Sequence, residues 1–234
     1  MKFGVVIFPG SNCDHDLISV LQNLKGAEVV ELWHKNTDLK GCDFIFLPGG
    51  FSYGDYLRSG AIARYSPIMQ SITEFAKGGG YVMGICNGFQ ILCEAGLLPG
   101  ALLCNTNRQF ICENLYLKPA NTNLPITHKI NKEDILKIPI AHGEGRFYAD
   151  DNTMAEIIAN DQVLFYYCNQ NGEIVDKANL NGSMHNIAGV CNASKNVFGM
   201  MPHPERCADT LLFNTDGRIL FESIMESLEV AASV

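Results

Sequence analysis

The chain has 234 residues, 47% of them hydrophobic and 18% charged, an ordinary globular composition with room for one large core. Its formal charge of −8 spreads 17 basic and 25 acidic residues without a basic run, which argues against a phosphate-binding face and hence against nucleic acid as a partner. No apolar stretch approaches a membrane span, and no linker, repeat or low-complexity segment divides the chain, so one domain over residues 1–234 is expected.

The nine cysteines, at 13, 42, 86, 93, 104, 112, 168, 191 and 207, are never three apart, so no Cys-x-x-Cys metal or redox motif is present. Their odd number argues for reduced thiols and a cytoplasmic address. The apolar run Phe3 to Phe8 is cut short at Pro9, too soon for a secretory leader.

In chain order, Phe3 to Phe8 reads as a buried strand, followed by a loop and a helix from about Asp14 to Lys25 with Leu17, Leu21 and Leu24 on one face. Ala27 to Leu32 is a second strand, and the order strand, helix, strand implies a right-handed crossover in a parallel sheet. Asp43 to Leu47 forms a third strand ending in Pro48-Gly49-Gly50. Ligands bind at the carboxyl ends of such strands, so this glycine pair is expected to face a crevice. The loop Phe51 to Gly60 carries three aromatics and Arg58, the composition of a recognition loop. A helix from roughly Ala61 to Lys77 is stopped by Gly78-Gly79-Gly80.

Tyr81-Val82-Met83-Gly84-Ile85 reads as a strand that stops at Cys86 and resumes as a helix with Phe89, Leu92 and Cys93 on one side. Gly-x-Cys-x-Gly at a strand-to-helix turn is a nucleophile elbow, because residues flanking so sharp a turn must be nearly without side chains. Cys86 then sits at a helix N-terminus, where free N–H groups favour a thiolate. The competing reading is a merely buried cysteine, so partners are required elsewhere. Acyl transfer needs two N–H donors where negative charge develops; Asn87, after the nucleophile, supplies one and Gly50 the other.

Beyond Gly100 the pattern shifts to short alternating segments, around Ala101 to Cys104, Leu115 to Leu117 and Ile138 to Ala141, expected as antiparallel additions at one edge. Ile140 to Arg146 packs His142, Gly143 and Glu144 into a second wall for the pocket; alternatively His142 and Glu144 are simply solvated. Val163 to Tyr167, Ile187 to Cys191 and Val197 to Met201 are further strands. The last runs into Pro202-His203-Pro204-Glu205-Arg206, where prolines fix the backbone of a histidine and Glu205 two residues on can orient it. A helix from about Thr215 to Leu228 closes the chain.

Gly-Ile-Cys86-Asn-Gly-Phe-Gln with a later His203-Pro-Glu resembles the triad (class I) glutamine amidotransferases. The match narrows over Phe8-Pro9-Gly10-Ser11-Asn12-Cys13-Asp14, Pro48 to Arg58, Ala141 to Arg146 and Met201 to Arg206. Together these are similar to the glutaminase subunits of phosphoribosylformylglycinamidine synthase, over about residues 2 to 228. The resemblance implies a flavodoxin-like three-layer α/β sandwich with a mostly parallel central sheet and antiparallel additions. It implies a Cys86–His203–Glu205 triad, with Gly49, Gly50, Asn87, Gln90, His142 and Gly143 around the oxyanion and glutamine. It also implies hydrolysis of glutamine to glutamate and ammonia for a separate synthetase subunit, assembled with a small adaptor subunit. Phe51, Tyr53, Arg58 and Arg146 are the expected partner contacts. No metal or cofactor is expected in this chain, and no Gly-x-x-x-x-Gly-Lys-[Ser/Thr] loop occurs; ATP and Mg are expected on the synthetase, which converts formylglycinamide ribonucleotide to formylglycinamidine ribonucleotide. The alternatives are an amidotransferase subunit for another acceptor and a non-catalytic elbow-cysteine oxidation sensor or chaperone.

Overall fold

The computed structural model describes residues 1–232. Strand β1 (Lys2–Ile7), helix α1 (Asp14–Gln22), β2 (Glu28–Trp33) and β3 (Phe44–Leu47) are followed by α2 (Pro67–Lys77), β4 (Tyr81–Ile85) and α3 (Asn87–Glu94). The second half contains β5 (Ala101–Leu103), β6 (Ile111–Pro119), β7 (Leu136–His142), β8 (Arg146–Tyr148), α4 (Asp151–Ala159), β9 (Val163–Cys168), β10 (Ile187–Cys191), β11 (Val197–Met200) and α5 (Arg218–Ala232).

Nine strands form one sheet in the order β2-β1-β3-β4-β11-β10-β9-β6-β7. The pairs β2/β1, β1/β3, β3/β4 and β4/β11 are parallel, and every pair from β11/β10 onward is antiparallel. The inner parallel strands β1, β3, β4 and β11 are buried on both faces, which is why they read as continuous apolar runs, whereas the edge strand β2 is largely exposed. Successive side chains of β3 point to opposite faces: Phe46 meets Phe221 of α5, while Leu47 lies against Gly88 of α3. Helices α5 and α3 therefore cover the two sides of the sheet, giving three layers.

The antiparallel half does more than extend one edge. Its last strand, β7, returns to the catalytic end: Pro139 O accepts from the His203 N–H at 2.8 Å. The sheet thus curls until its far edge overhangs the ends of β4 and β11.

Four expectations change in detail. Ala101–Leu103 pairs with β8 in a separate two-stranded ribbon rather than with the main sheet. The helix expected from Ala61 begins at Pro67, after a 3-10 turn at Ala63–Tyr65, because a proline drives its predecessor out of the helical region and Ser66 is extended at φ −62°, ψ 141°. Helix α1 stops at Gln22 instead of Lys25. Helix α5 begins at Arg218, after Gly217, where a Cβ would lie 2.1 Å from the Pro204 carbonyl oxygen.

At the elbow, a Cβ built on Gly88 would lie 1.9 Å from the Leu47 carbonyl oxygen, a backbone atom that cannot move aside. We expect Gly88→Ala to destabilise the fold by about 3 kcal/mol or more, at the upper end of overpacking costs, read as a shift in the urea unfolding midpoint. Gly78→Ala, at ordinary φ with its nearest backbone atom at 3.4 Å, should change the midpoint little. Equal midpoints for the two variants would contradict this account of the elbow.

Candidate active site

Strand β4 delivers Cys86 in a conformation that side chains rarely adopt, φ 51° and ψ −106°. Its N–H continues the ladder to Met200 O at 2.8 Å, and its carbonyl accepts the first bond of α3 from Gln90 N–H at 3.1 Å. The residue is therefore strand on one side and helix N-cap on the other, with the thiol standing at the turn. Cys86 is 5% exposed, and Ala141 O, from the returning edge strand, lies 3.8 Å from its sulfur.

His203 and Glu205 leave β11 on the segment fixed by Pro202 and Pro204. The imidazole Nδ1 lies 2.6 Å from Glu205 Oε1, and the two residues are 1% and 2% exposed. Burial works against a charged ring here, but the Glu205 carboxylate and then Cys86 outweigh it and hold the His203 pKa above the ordinary histidine value. Nε2 makes no hydrogen bond of normal geometry, and Cys86 acts on the ring through its charge and a weak side-chain contact. Gly49 sits beneath this group: a Cβ there would be 2.7 Å from His203 Cε1, 3.2 Å from Cys13 Sγ and 3.4 Å from Cys86 Cβ. Only glycine lets the loop after β3 approach so closely.

The next residue, Gly50, has φ 125° and bridges to Ser11, so the loops after β1 and β3 are tied together. Among the described residues, neither the Gly50 nor the Asn87 N–H donates to a turn or loop carbonyl. The Asn87 side chain accepts from Ser52 N–H at 3.1 Å and donates to Asp55 Oδ1 at 3.2 Å and Gln90 Oε1 at 2.9 Å. Gln90 in turn donates to Glu144 O at 2.6 Å. The Gln90 amide, expected against glutamine, thus braces α3 to the opposite wall.

His142 is not solvated; it is 3% exposed between two asparagines. Nδ1 lies 3.1 Å from Asn105 Oδ1, and Nε2 faces Asn181 Nδ2 at 3.5 Å. Burial first, and the charge of His203 second, push its pKa down to about 4, so it stays neutral. A Cβ on Gly145 would strike its ring at 2.1 Å, whereas Gly143 is open, with Phe110 at 4.0 Å as its nearest neighbour. Gly143 therefore borders the crevice mouth.

The expected partner contacts divide. Phe51 is 46% exposed and stacks on Phe110, and Arg146 donates from Nε to Cys104 O at 3.1 Å. Arg58 is bidentate on Glu94 of α3, at 2.7 and 2.6 Å. Tyr53 turns inward instead, its hydroxyl 2.7 Å from His34 Nδ1.

Sequence reasoning left Cys13, Arg206, Asn105 and Asn181 without a role. Arg206 Nη2 donates to Cys13 Sγ at 3.0 Å behind Glu205, and burial pushes the Cys13 thiol up to about 12 despite that guanidinium. Cys13, His203 and Glu205 place ligand-type atoms within 4.8 Å of one another, but the adjacent Arg206 charge opposes a cation there. Cys13 and Arg206 both lie inside the motifs that carry the family resemblance; the two asparagines are isolated loop residues and carry no such signal.

The buried His142 makes acid sensitivity predictable. An unfolded histidine titrates near 6.5, so between there and about 4 the unfolded chain takes up a proton that the folded chain refuses. Stability should fall as pH drops through that window, by on the order of 3 kcal/mol for this group. Urea titrations at pH 7 and 4.5 should show His142→Asn losing clearly less stability than the parent; identical losses would remove His142 from the account.

A family model described as a CobB/CobQ-like glutamine amidotransferase domain matches residues 1–222. The chain is 54% identical over 227 residues to the phosphoribosylformylglycinamidine synthase subunit PurQ of Gloeobacter violaceus, covering 97% of this chain and 98% of that one. It is 51% identical over 232 residues to the subunit of the same name from Salinibacter ruber, covering 99% of both. Its fold superposes on a chain in the structure of PurLQS from Thermotoga maritima with a TM-score of 0.86 at 42% identity, covering 97% of this chain and 98% of that one. The chain belongs to the CobB/CobQ-like glutamine amidotransferases, in the family of the phosphoribosylformylglycinamidine synthase subunits PurQ.

Proposed function

We propose that this chain is the glutaminase subunit of a phosphoribosylformylglycinamidine synthase, releasing ammonia from glutamine for a separate synthetase in purine biosynthesis. The observation that carries the chemistry is the strained Cys86 elbow facing a buried His203–Glu205 pair. An oxidation sensor would have no use for that pair, which is costly to bury and has an imidazole poised to exchange a proton.

Cys86 Sγ, its proton already passed to His203, attacks the side-chain carboxamide carbon of glutamine. The N–H groups of Gly50 and Asn87 receive the oxyanion, each donor worth about 10²–10³ in rate. As the tetrahedral intermediate collapses, the C–N bond breaks and His203 returns the proton to the departing ammonia. Water, activated by the same imidazole, then cleaves the γ-glutamyl thioester to glutamate and free Cys86. Glu205 touches neither substrate nor sulfur in this scheme; it orients and charges His203.

ATP and Mg belong to the synthetase, where formylglycinamide ribonucleotide is converted to formylglycinamidine ribonucleotide, and a small adaptor subunit joins the assembly. The work is assigned to the cytoplasm; among the described residues no helix is long and apolar enough to cross a membrane. Phe51 and Arg58, which are exposed, and the half-buried Arg146 are the contacts we assign to the partner, mixing the aromatic and arginine residues enriched at interface hot spots.

Glutamate release by the full chain with its synthetase and adaptor subunits tests the assignment. Cys86→Ala should abolish turnover and labelling by glutamine-like electrophiles, whereas Cys93→Ala should spare both; label mapped to another cysteine would end the assignment. Glu205→Gln should lower kcat by about 10²-fold or more while changing KM little, the signature of a group acting on the transition state. A change confined to KM would make Glu205 a binding residue.

A further inference from the structure

Between Gly50 and the exposed part of the recognition loop, the backbone passes through a run of left-handed torsions: Tyr53 at φ 55°, Gly54 at 69°, Asp55 at 54° and Leu57 at 74°. Non-glycine residues persist in that region only where their surroundings over-determine them. Two sets of bonds do so here. One is at the nucleophile, where Ser52 N–H donates to Asn87 Oδ1 and Asn87 Nδ2 donates back to Asp55 Oδ1. The other is Tyr53, whose N–H donates to Pro9 O at 2.6 Å and whose hydroxyl lies 2.7 Å from His34 Nδ1 and 2.9 Å from Ser66 Oγ.

The socket that receives this hydroxyl is built from three elements. His34 follows β2, is 3% exposed, and stands edge-on to the Tyr53 ring with centroids 5.5 Å apart. Among the described residues its Nε2 has no partner, so Tyr53 and Ser66 are the only side chains its ring meets in hydrogen bonds. Ser66 is the N-cap residue of α2, yet its hydroxyl makes no capping bond and faces Tyr53 instead. No hydrogen bond from Tyr53 reaches Cys86, His203 or Glu205, so any influence on the chemistry travels through the loop.

We propose that Tyr53 is a positioning residue: its hydroxyl, seated between His34 and Ser66, holds the strained loop so that the Gly50 and Asn87 N–H groups converge on one point. This rests on the assignment of those two amides as oxyanion donors. Asn87 anchors the loop from the nucleophile side and Tyr53 from the far side; with one anchor removed, the torsions at 53 to 57 can relax and Gly50 shifts with them.

The test is Tyr53→Phe, which keeps the ring and removes only the hydroxyl, in the full chain assembled with its synthetase and adaptor subunits. Two reactions of Cys86 are compared. Glutamine hydrolysis passes through an oxyanion, whereas alkylation by iodoacetamide is a direct displacement at carbon and forms none. We expect kcat for glutamine to fall about tenfold, because a displacement well under 1 Å already costs that much, with KM changed by no more than about twofold. Iodoacetamide should label Cys86 in the variant at the parent rate. Ser66→Ala, which removes one side of the socket, should show the same split at smaller amplitude and serves if Tyr53→Phe does not fold. Unchanged kcat in both variants would overturn the inference, as would a parallel fall in kcat, alkylation rate and melting temperature, which would make the hydroxyl a general stabiliser. Cys86→Ala in the same assay separates the underlying assignment: if that variant still turns over glutamine, the reading of the site fails whatever Tyr53 does.

Discussion

The torsion at Cys86 is the constraint on which the site depends. A non-glycine residue at φ 51°, ψ −106° is strained by about 1–3 kcal/mol, and it stays there because both of its flanks are fixed. The strand side is held by Cys86 N–H on Met200 O, the helix side by Gln90 N–H on Cys86 O. Between them, Gly88 lets the first turn of α3 lie on the Leu47 carbonyl. The elbow is thus a joint property of β3, β4 and β11, three adjacent parallel strands. The same adjacency puts Gly49, Cys86 and His203 at neighbouring strand ends.

Two buried histidines close enough to feel each other's charge are driven in opposite directions, and their surroundings explain why. His203 faces a carboxylate at 2.6 Å and is held ready to carry a proton. His142 faces only amides and is held neutral, partly by the charge of His203 itself. Pairs pushed apart in this way sort the proton-transfer group from the structural one. Arg206 gives the triad an outer margin: it lies on Cys13 at 3.0 Å and near Asp16 at 3.7 Å, keeping positive charge beside Glu205.

What was legible in the sequence was whatever local chemistry dictates. The elbow declares itself because only glycine fits on either side of such a turn, and the base because two prolines fix His203 beside its acid. The inner parallel strands are plain as apolar runs. Helix α4 had a readable start, since Asp150 accepts from Asn152 and Thr153 N–H in an ordinary N-cap, but its weakly apolar face hid it. What could not be read is what depends on distant pairing. Tyr53 reads as a contact residue, and only the fold brings His34 of the segment after β2 beside its hydroxyl; Gln90 reads as a substrate ligand, and only the curled sheet brings the Glu144 carbonyl to its amide. Asn105 and Asn181 have no signature at all, because an asparagine's role around a buried imidazole is fixed by the fold.

The arrangement also accounts for how a partner could govern a site it does not enter. Arg58, at the exposed end of the recognition loop, is fastened to Glu94, the last residue of α3, and Arg64 donates to the Glu94 carbonyl at 2.8 Å. The first turn of the same helix holds Asn87 and Gln90, whose amides tie the loop at Ser52 and Asp55 to the wall at Glu144. The loop is therefore attached to both ends of α3, with Tyr56 exposed between the attachments and the Phe51 ring exposed just ahead of them. A surface bound to those rings would bear on a closed circuit of loop and helix, with Asn87 in its first helical turn and Gly50 just ahead of Ser52, the two residues whose N–H groups we assign to the oxyanion. Coupling by this route needs no moving domain, because a shift well below 1 Å at a hydrogen-bond donor is enough to change the stabilisation of an oxyanion substantially.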